Sequence, residues 1–138
     1  MEKKIQDSGN RMTYQTGAQR DLTADKGQFC LMPFEAIERL AKHYEGGAAK
    51  YAPRNWEKGI PLSVYMNSAS RHLFKWMCGW LDEDHEAATM WNIAGFIWTR
   101  ERIIDGSLPI SLLLEDKFLH PILKNEIVTI MSRRTNVR

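Results

Sequence analysis

Cysteine is scarce in this chain, with Cys30 and Cys78 the only two among 138 residues. They do not form a CxxC pair, so neither a zinc knuckle nor a disulfide framework is expected. Long apolar runs are missing as well. No stretch approaches the roughly 20 apolar residues of a membrane-spanning helix, and the first residues lack the apolar centre of a signal peptide. The expectation is a soluble, cytoplasmic protein with reduced thiols. Neither sign of charge dominates: 19 basic residues face 17 acidic ones, the net charge is +2, and the isoelectric point lies near 8.6. Bulk charge therefore points to no polyanionic partner, and any phosphate binding must come from local clusters. Several catalytic signatures are also absent. There is no GxxxxGK[ST] loop, no GxGxxG after a strand, no HExxH and no GxSxG. Asp84-His85 runs in the order opposite to the His-Asp dipeptide of HD-type phosphohydrolases.

What is present is helical periodicity. Residues 1–30 read as an irregular polar arm, with Gly9, Gly17 and Gly27 spread among charges. Pro33 opens a run in which Phe34, Ile37, Leu40, Ala41 and Tyr44 recur at helical spacing, which predicts a helix over about 34–46 ending at Gly46-Gly47. Residues 48–62 read as a functional loop punctuated by Pro53, Gly59 and Pro61. Ser63 is expected to cap a second helix carrying Val64, Tyr65, Ala69, Leu73 and Trp76. Asp82, Glu83 and Asp84 mark the start of a third helix that packs Ala87, Ala88, Trp91, Ala94 and Trp98 and runs to about 104. Ser111 caps a short helix, and Pro121 starts a last one with a basic tail. The expected fold is all-α: a helical core over 31–104 and a helical extension over 105–138, a bundle completed by oligomerisation.

Three clusters could carry chemistry. Glu35 and Glu38 share a helix face and can bind one hard cation, or can equally form a solvated acidic edge with Glu45. Asp82-Glu83-Asp84-His85-Glu86 either complements a helix dipole or, brought against Glu35 and Glu38, completes a Mg²⁺ or Mn²⁺ site. Asn92, on the face of His85, either fixes a ligand or bonds a neighbouring carbonyl. Between the acids lie Lys50, Arg54, Asn55, Trp56 and Lys58, then Arg71, His72 and Lys75, a set able to hold phosphates with Trp56 beside a base or anchored in the core. Metal-binding acids beside phosphate-binding cations make up a nucleotide-hydrolysing site. The alternative is a helical nucleic-acid-binding module that uses the basic loop and the tail Arg133-Arg134 to Arg138. The neighbouring glutamates weigh against it, because they repel a phosphate backbone.

The stretches TGAQRD, LMPFEAIERLAKHYEGGAAKYAPRNWEKGIPLS, SASRHLFKWMCG and DEDHEAATMWNIAGF resemble the MazG-like phage dATP/dGTP diphosphohydrolases, the MazZ group, over about residues 16–104. The GAxKYxxxNWxKG block is the most specific part of that likeness. The resemblance implies an all-α pyrophosphohydrolase, dimeric or tetrameric, that uses Mg²⁺ or Mn²⁺ to cut purine deoxynucleoside triphosphates between the α- and β-phosphates. It also implies a setting in phages that replace adenine by 2-aminoadenine. MazG-like enzymes pair ExxE on one helix with ExxD on the next. Glu35 and Glu38 match the first half; no literal ExxD follows, and Asp84, then Glu83 or Glu86, stand nearest to it. The expected roles are therefore Glu35, Glu38, Asp84 and Glu83 on metal, with the basic residues, Asn55, Trp56 and Asn92 on the substrate.

Overall fold

A computed structural model describes residues 7, 9–22 and 26–135. The chain forms two compact units, residues 1–33 and 34–138. In the first, the arm is not wholly irregular: Arg11–Thr13 (β1) pairs antiparallel with Gln19–Asp21 (β2), Arg11 opposite Asp21. Gly17, at a φ of 84°, completes the turn between them and donates to the Tyr14 carbonyl at 2.8 Å. Three-residue strands are too short to show an alternating pattern in sequence.

The second unit is helical, and 64% of the described residues lie in helices, an all-α fold. Its elements are α1 (Phe34–Tyr51), α2 (Leu62–Met77), α3 (His85–Ile104), α4 (Ser111–Leu114) and α5 (Pro121–Thr135). The first of these runs straight through Gly46-Gly47 instead of stopping there. A mid-helix glycine is about 1 kcal/mol less favourable than alanine, but Ala48, Ala49 and Lys50 beyond it are strong helix formers. The stop comes from Pro53. The residue before a proline avoids helical angles, and Ala52 turns to a φ of 96° while Arg54 sits at 59°. Both are unusual for residues with a Cβ. A single 3-10 turn, Asn55–Lys58, then leads towards α2.

Pro61, not Ser63, stands at the N-cap of α2, so Ser63 lies inside the first turn. Its hydroxyl and its N–H are directed at the buried Asp116 carboxylate, at 2.5 and 2.8 Å, which ties α2 to the loop before α5. At the start of α3 the Asp84 carboxylate accepts from the Ala87 N–H at 3.0 Å, a regular N-cap. Helices α2 and α3 lie antiparallel, matching Tyr65 with Gly95 and Thr99 and, near the other end, His72 with His85. A Cβ on Gly95 would come within 2.3 Å of the Tyr65 ring, so this close approach requires glycine.

The apolar core gathers Leu62, Ile103, Ile104, Leu113, Leu119 and Ile127, where α2 begins and α3, α4 and α5 meet. The remainder of the bundle is filled by rings. Trp56 meets Trp98 edge-on at 4.8 Å, and Tyr44, Tyr65 and Trp91 continue the contact from α1 across to α2 and α3. This division places a rigid aliphatic base at one end and leaves aromatic and polar walls at the other, where the site lies.

Candidate functional site

The α2–α3 junction brings two histidines and a carboxylate together. Capping by Asp84 places His85 in the first position of α3, almost wholly buried, and antiparallel packing sets His72 of α2 beside it. Their Nδ1 atoms are 3.0 Å apart, and a Glu83 oxygen lies 3.6 Å from that of His72 and 3.7 Å from that of His85. Among the described residues, this trio alone offers three ligand atoms within 4.8 Å of one another. The spacing suits a divalent cation: a triangle with sides of 3.0, 3.6 and 3.7 Å has a centre about 2 Å from each corner, an ordinary metal–ligand bond length.

Asp82 strengthens the fit. Its carboxylate lies 2.8 Å from His85 Nε2, and because an ionised carboxylate only accepts, the ring proton belongs on Nε2. His85 Nδ1 then presents its lone pair towards Glu83 and His72, the arrangement a metal-ligating histidine needs. The His85 bond holds the Asp82 carboxyl below the usual carboxylate range, assisted by Lys75 at 3.3 Å. Burial pushes the His72 imidazole below its usual value, against the pull of Glu83. Both shifts favour a neutral imidazole beside an ionised acid, the protonation state that binds metal.

Next to this trio opens a polar cleft of about 610 Å³, lined by Arg39, Lys42, Lys50, Arg71, His72 and Glu83 among others. Arg39 is already engaged, since it clasps both Asp84 oxygens at 2.6 and 2.9 Å and also pairs with Glu86. These bonds hold the Asp84 carboxyl low and raise the guanidinium. Asn92 lies buried at the cleft wall and donates to the Ala88 carbonyl at 2.8 Å. A second cavity of about 390 Å³ adjoins the cleft, walled mainly by Tyr44, Tyr51, Trp56 and Trp91.

Of the residues singled out from sequence, Lys50, Arg71, His72, Glu83, Asp84 and Asn92 come together around the polar cleft, and Arg54, Asn55 and Trp56 around the aromatic cavity. Lys75 stands behind the trio, 3.3 Å from Asp82 and 3.9 Å from Glu83. Glu35, Glu38 and Lys58 line neither cavity. Both glutamates are exposed on the first turns of α1, with Glu38 3.5 Å from Lys42. Sequence alone places Asp82 and His85 within the acidic cluster without a role for each, and it gives none to Arg39, His43 or Gly47. The signal for the histidines was a pair of them flanking an acidic loop between two helices, which is informative only once the helices are folded back on each other.

No curated protein and no solved structure matches the chain. Residues 16–106 match the family described as dATP/dGTP diphosphohydrolase, N-terminal, a span that holds the trio, the cleft and the aromatic cavity. The chain belongs to that family and is an enzyme of the pyrophosphatase type.

Proposed function

We propose that the protein is a metal-dependent pyrophosphohydrolase that converts dGTP and dATP to the monophosphate and pyrophosphate, with its metal at His72, Glu83 and His85. The observation that carries this reading is the three-donor set opening beside a cleft that supplies Lys42, Lys50 and Arg71. His72, Glu83 and His85 would hold the metal, which would supply a Lewis acid and an activated water at the α-phosphorus. In the balanced reaction, water adds to the α-phosphorus, the bond to the bridging oxygen breaks, and pyrophosphate leaves with that oxygen. Lys50 and Arg71 neutralise the charge on the departing group, and the Arg71 guanidinium can offer a fork to phosphate oxygens. Two imidazole nitrogens suit Mn²⁺ better than Mg²⁺, which prefers an all-oxygen shell. The same activity would remove dATP and supply dGMP in a cell making 2-aminoadenine DNA, the phage setting that the sequence resemblance implies.

The test is a product assay by ion exchange on each common ribo- and deoxyribonucleoside triphosphate, with Mn²⁺ and with Mg²⁺. The expected products from dGTP are dGMP and pyrophosphate. Release of intact triphosphate would place the metal away from the α-phosphate. Salt-sensitive nucleic-acid binding with no turnover would replace the hydrolase altogether.

We also infer a second copy of the chain against α2 and α3, where Met66, Leu73, Ile93 and Ile97 remain exposed around an apolar groove. A dimer or tetramer is expected by light scattering at micromolar concentration, and a monomer would remove this part of the reading.

A further inference from the structure

The two cavities share a ridge made of His43, Gly47, Tyr51 and Trp91, each of which lines both. On one side the lining carries Arg39, Lys42, Lys50 and Arg71 beside the acids Glu83 and Asp84, and on the other it is mainly aromatic, with Arg54 and a single amide, Asn55. A purine nucleotide is divided in the same way, with a polyanion at one end and a flat ring at the other. The 390 Å³ of the aromatic cavity falls within the range of small-molecule sites.

Gly47 is the informative residue on this ridge. It sits inside α1, where glycine weakens a helix. Its φ is not positive, so the backbone conformation does not require glycine. A Cβ added there would meet nothing within 4 Å, so packing does not require it either. Gly95 shows the contrast, since its missing Cβ is demanded by the Tyr65 ring. Gly47 lines both cavities, so a methyl group there would stand in open space on the ridge between them. On the aromatic side of that ridge, Ala52 and Arg54 hold left-handed backbone angles of 96° and 59° in a segment that lines the same cavity.

We propose that the aromatic cavity seats the purine ring of the substrate and that the nucleoside crosses α1 at Gly47, its phosphates lying in the cationic cleft. This rests on the pyrophosphohydrolase reading for the identity of the substrate. The ring would lie among Tyr44, Tyr51, Trp56 and Trp91, with Asn55 the amide able to meet its polar edge.

The experiment compares wild type with Gly47→Ala in three measurements: the Tm of the ligand-free protein, binding of dGMP by calorimetry, and binding of inorganic triphosphate. The substitution is expected to raise Tm by a few degrees, because it removes a helix-weakening residue from open space. It should weaken dGMP about ten-fold or more while leaving inorganic triphosphate within about two-fold, since only the nucleotide crosses the ridge. Unchanged dGMP binding would overturn the proposal, and so would equal weakening of both ligands, which would confine Gly47 to the phosphate cleft. A fall in Tm would overturn it too, because the fold itself would then need the glycine. Failure of the catalytic reading is distinguishable: wild type would bind dGMP and lose it in Gly47→Ala, yet hydrolyse no dGTP.

Discussion

Acidic residues gather in two places in the helical unit, and their neighbours separate them. On the first turns of α1, Glu35 and Glu38 face solvent, and Glu38 meets Lys42 one turn on, a pairing that any exposed helix can carry. At the α2–α3 junction every acid has an assigned task. Asp82 fixes a histidine, Glu83 faces two imidazoles, and Asp84 caps a helix while gripping Arg39. The α1 acids share a helix face, whereas at the junction two imidazole nitrogens converge on an acid and a further carboxylate orients one of them.

The largest expected effect tests the junction directly. Replacing His85 by Ala, or His72 by Asn, removes one of three donors and should reduce turnover of dGTP by about a hundred-fold or more. Calorimetric titration with Mn²⁺ should show the metal affinity falling in parallel, with helical content by circular dichroism preserved. Full turnover in a folded His72→Asn protein would dissolve the distinction between the two acidic regions.

Asp82→Asn sharpens the comparison, because Asp82 lies outside the trio and bonds to His85 within it. An amide can present its NH₂ to His85 Nε2, which no longer fixes the proton there. Mn²⁺ affinity should fall by about ten- to a hundred-fold, the usual range for a partner behind a ligand. A loss of fold stability with unchanged Mn²⁺ affinity would make Asp82 a structural residue alone.

Asp116 extends the comparison to an acid wired into the fold and not into the site. Burial pushes its carboxyl up, but hydrogen bonds from the Ser63 N–H and hydroxyl and from the Phe118 and Leu119 N–H groups outweigh this and hold it below the usual carboxylate range. A carboxyl whose folded value lies below its unfolded one stabilises the protein above the unfolded value, near pH 4, and that contribution is lost as pH falls through the folded value. Asp116→Asn should destabilise by about 1–3 kcal/mol at pH 7, measured by denaturant unfolding, and should flatten the acid limb of the stability curve. Turnover per folded molecule should be unchanged. Stability unaffected at pH 7 would mean that the Ser63 bonds contribute nothing net.

The same contrast explains what could be read from the sequence. The helices were visible because apolar residues recur at helical spacing, and the start of α3 because Asp84 is a strong cap at the head of such a run. The end of α1 was misjudged because Gly46-Gly47 resembles a helix stop, whereas Pro53 provides the real one. The polar cleft was half legible: Lys50, Arg71 and Asn92 stand out by type within their segments. The pairing of His72 with His85 was not, since thirteen positions separate them and only the antiparallel fold of α2 on α3 makes them neighbours. Asp82 was read as part of an acidic run because its single hydrogen-bonded imidazole is a property of three dimensions.

The smallest expected effect is at Glu38, and it asks whether the α1 acids are a solvated edge or a second metal station. Glu38→Gln preserves size and helix preference and removes one exposed charge whose nearby partner is Lys42. Loss of an exposed i,i+4 pair changes helix stability by about 0.5 kcal/mol or less, so thermal unfolding should barely move. With the metal at His72, Glu83 and His85, turnover of dGTP should stay within about two-fold of wild type, the scale of an ordinary surface substitution. Glu35→Gln, on the same turn and lining neither cavity, should behave alike. The measurement is kcat and KM across a range of Mn²⁺ concentrations, because a weakened ligand set would shift the half-saturating metal concentration even where kcat at high metal is restored. A shift of about ten-fold or more in that concentration, in a protein with unchanged Tm, would return metal to α1 and make the two acidic regions parts of one larger centre.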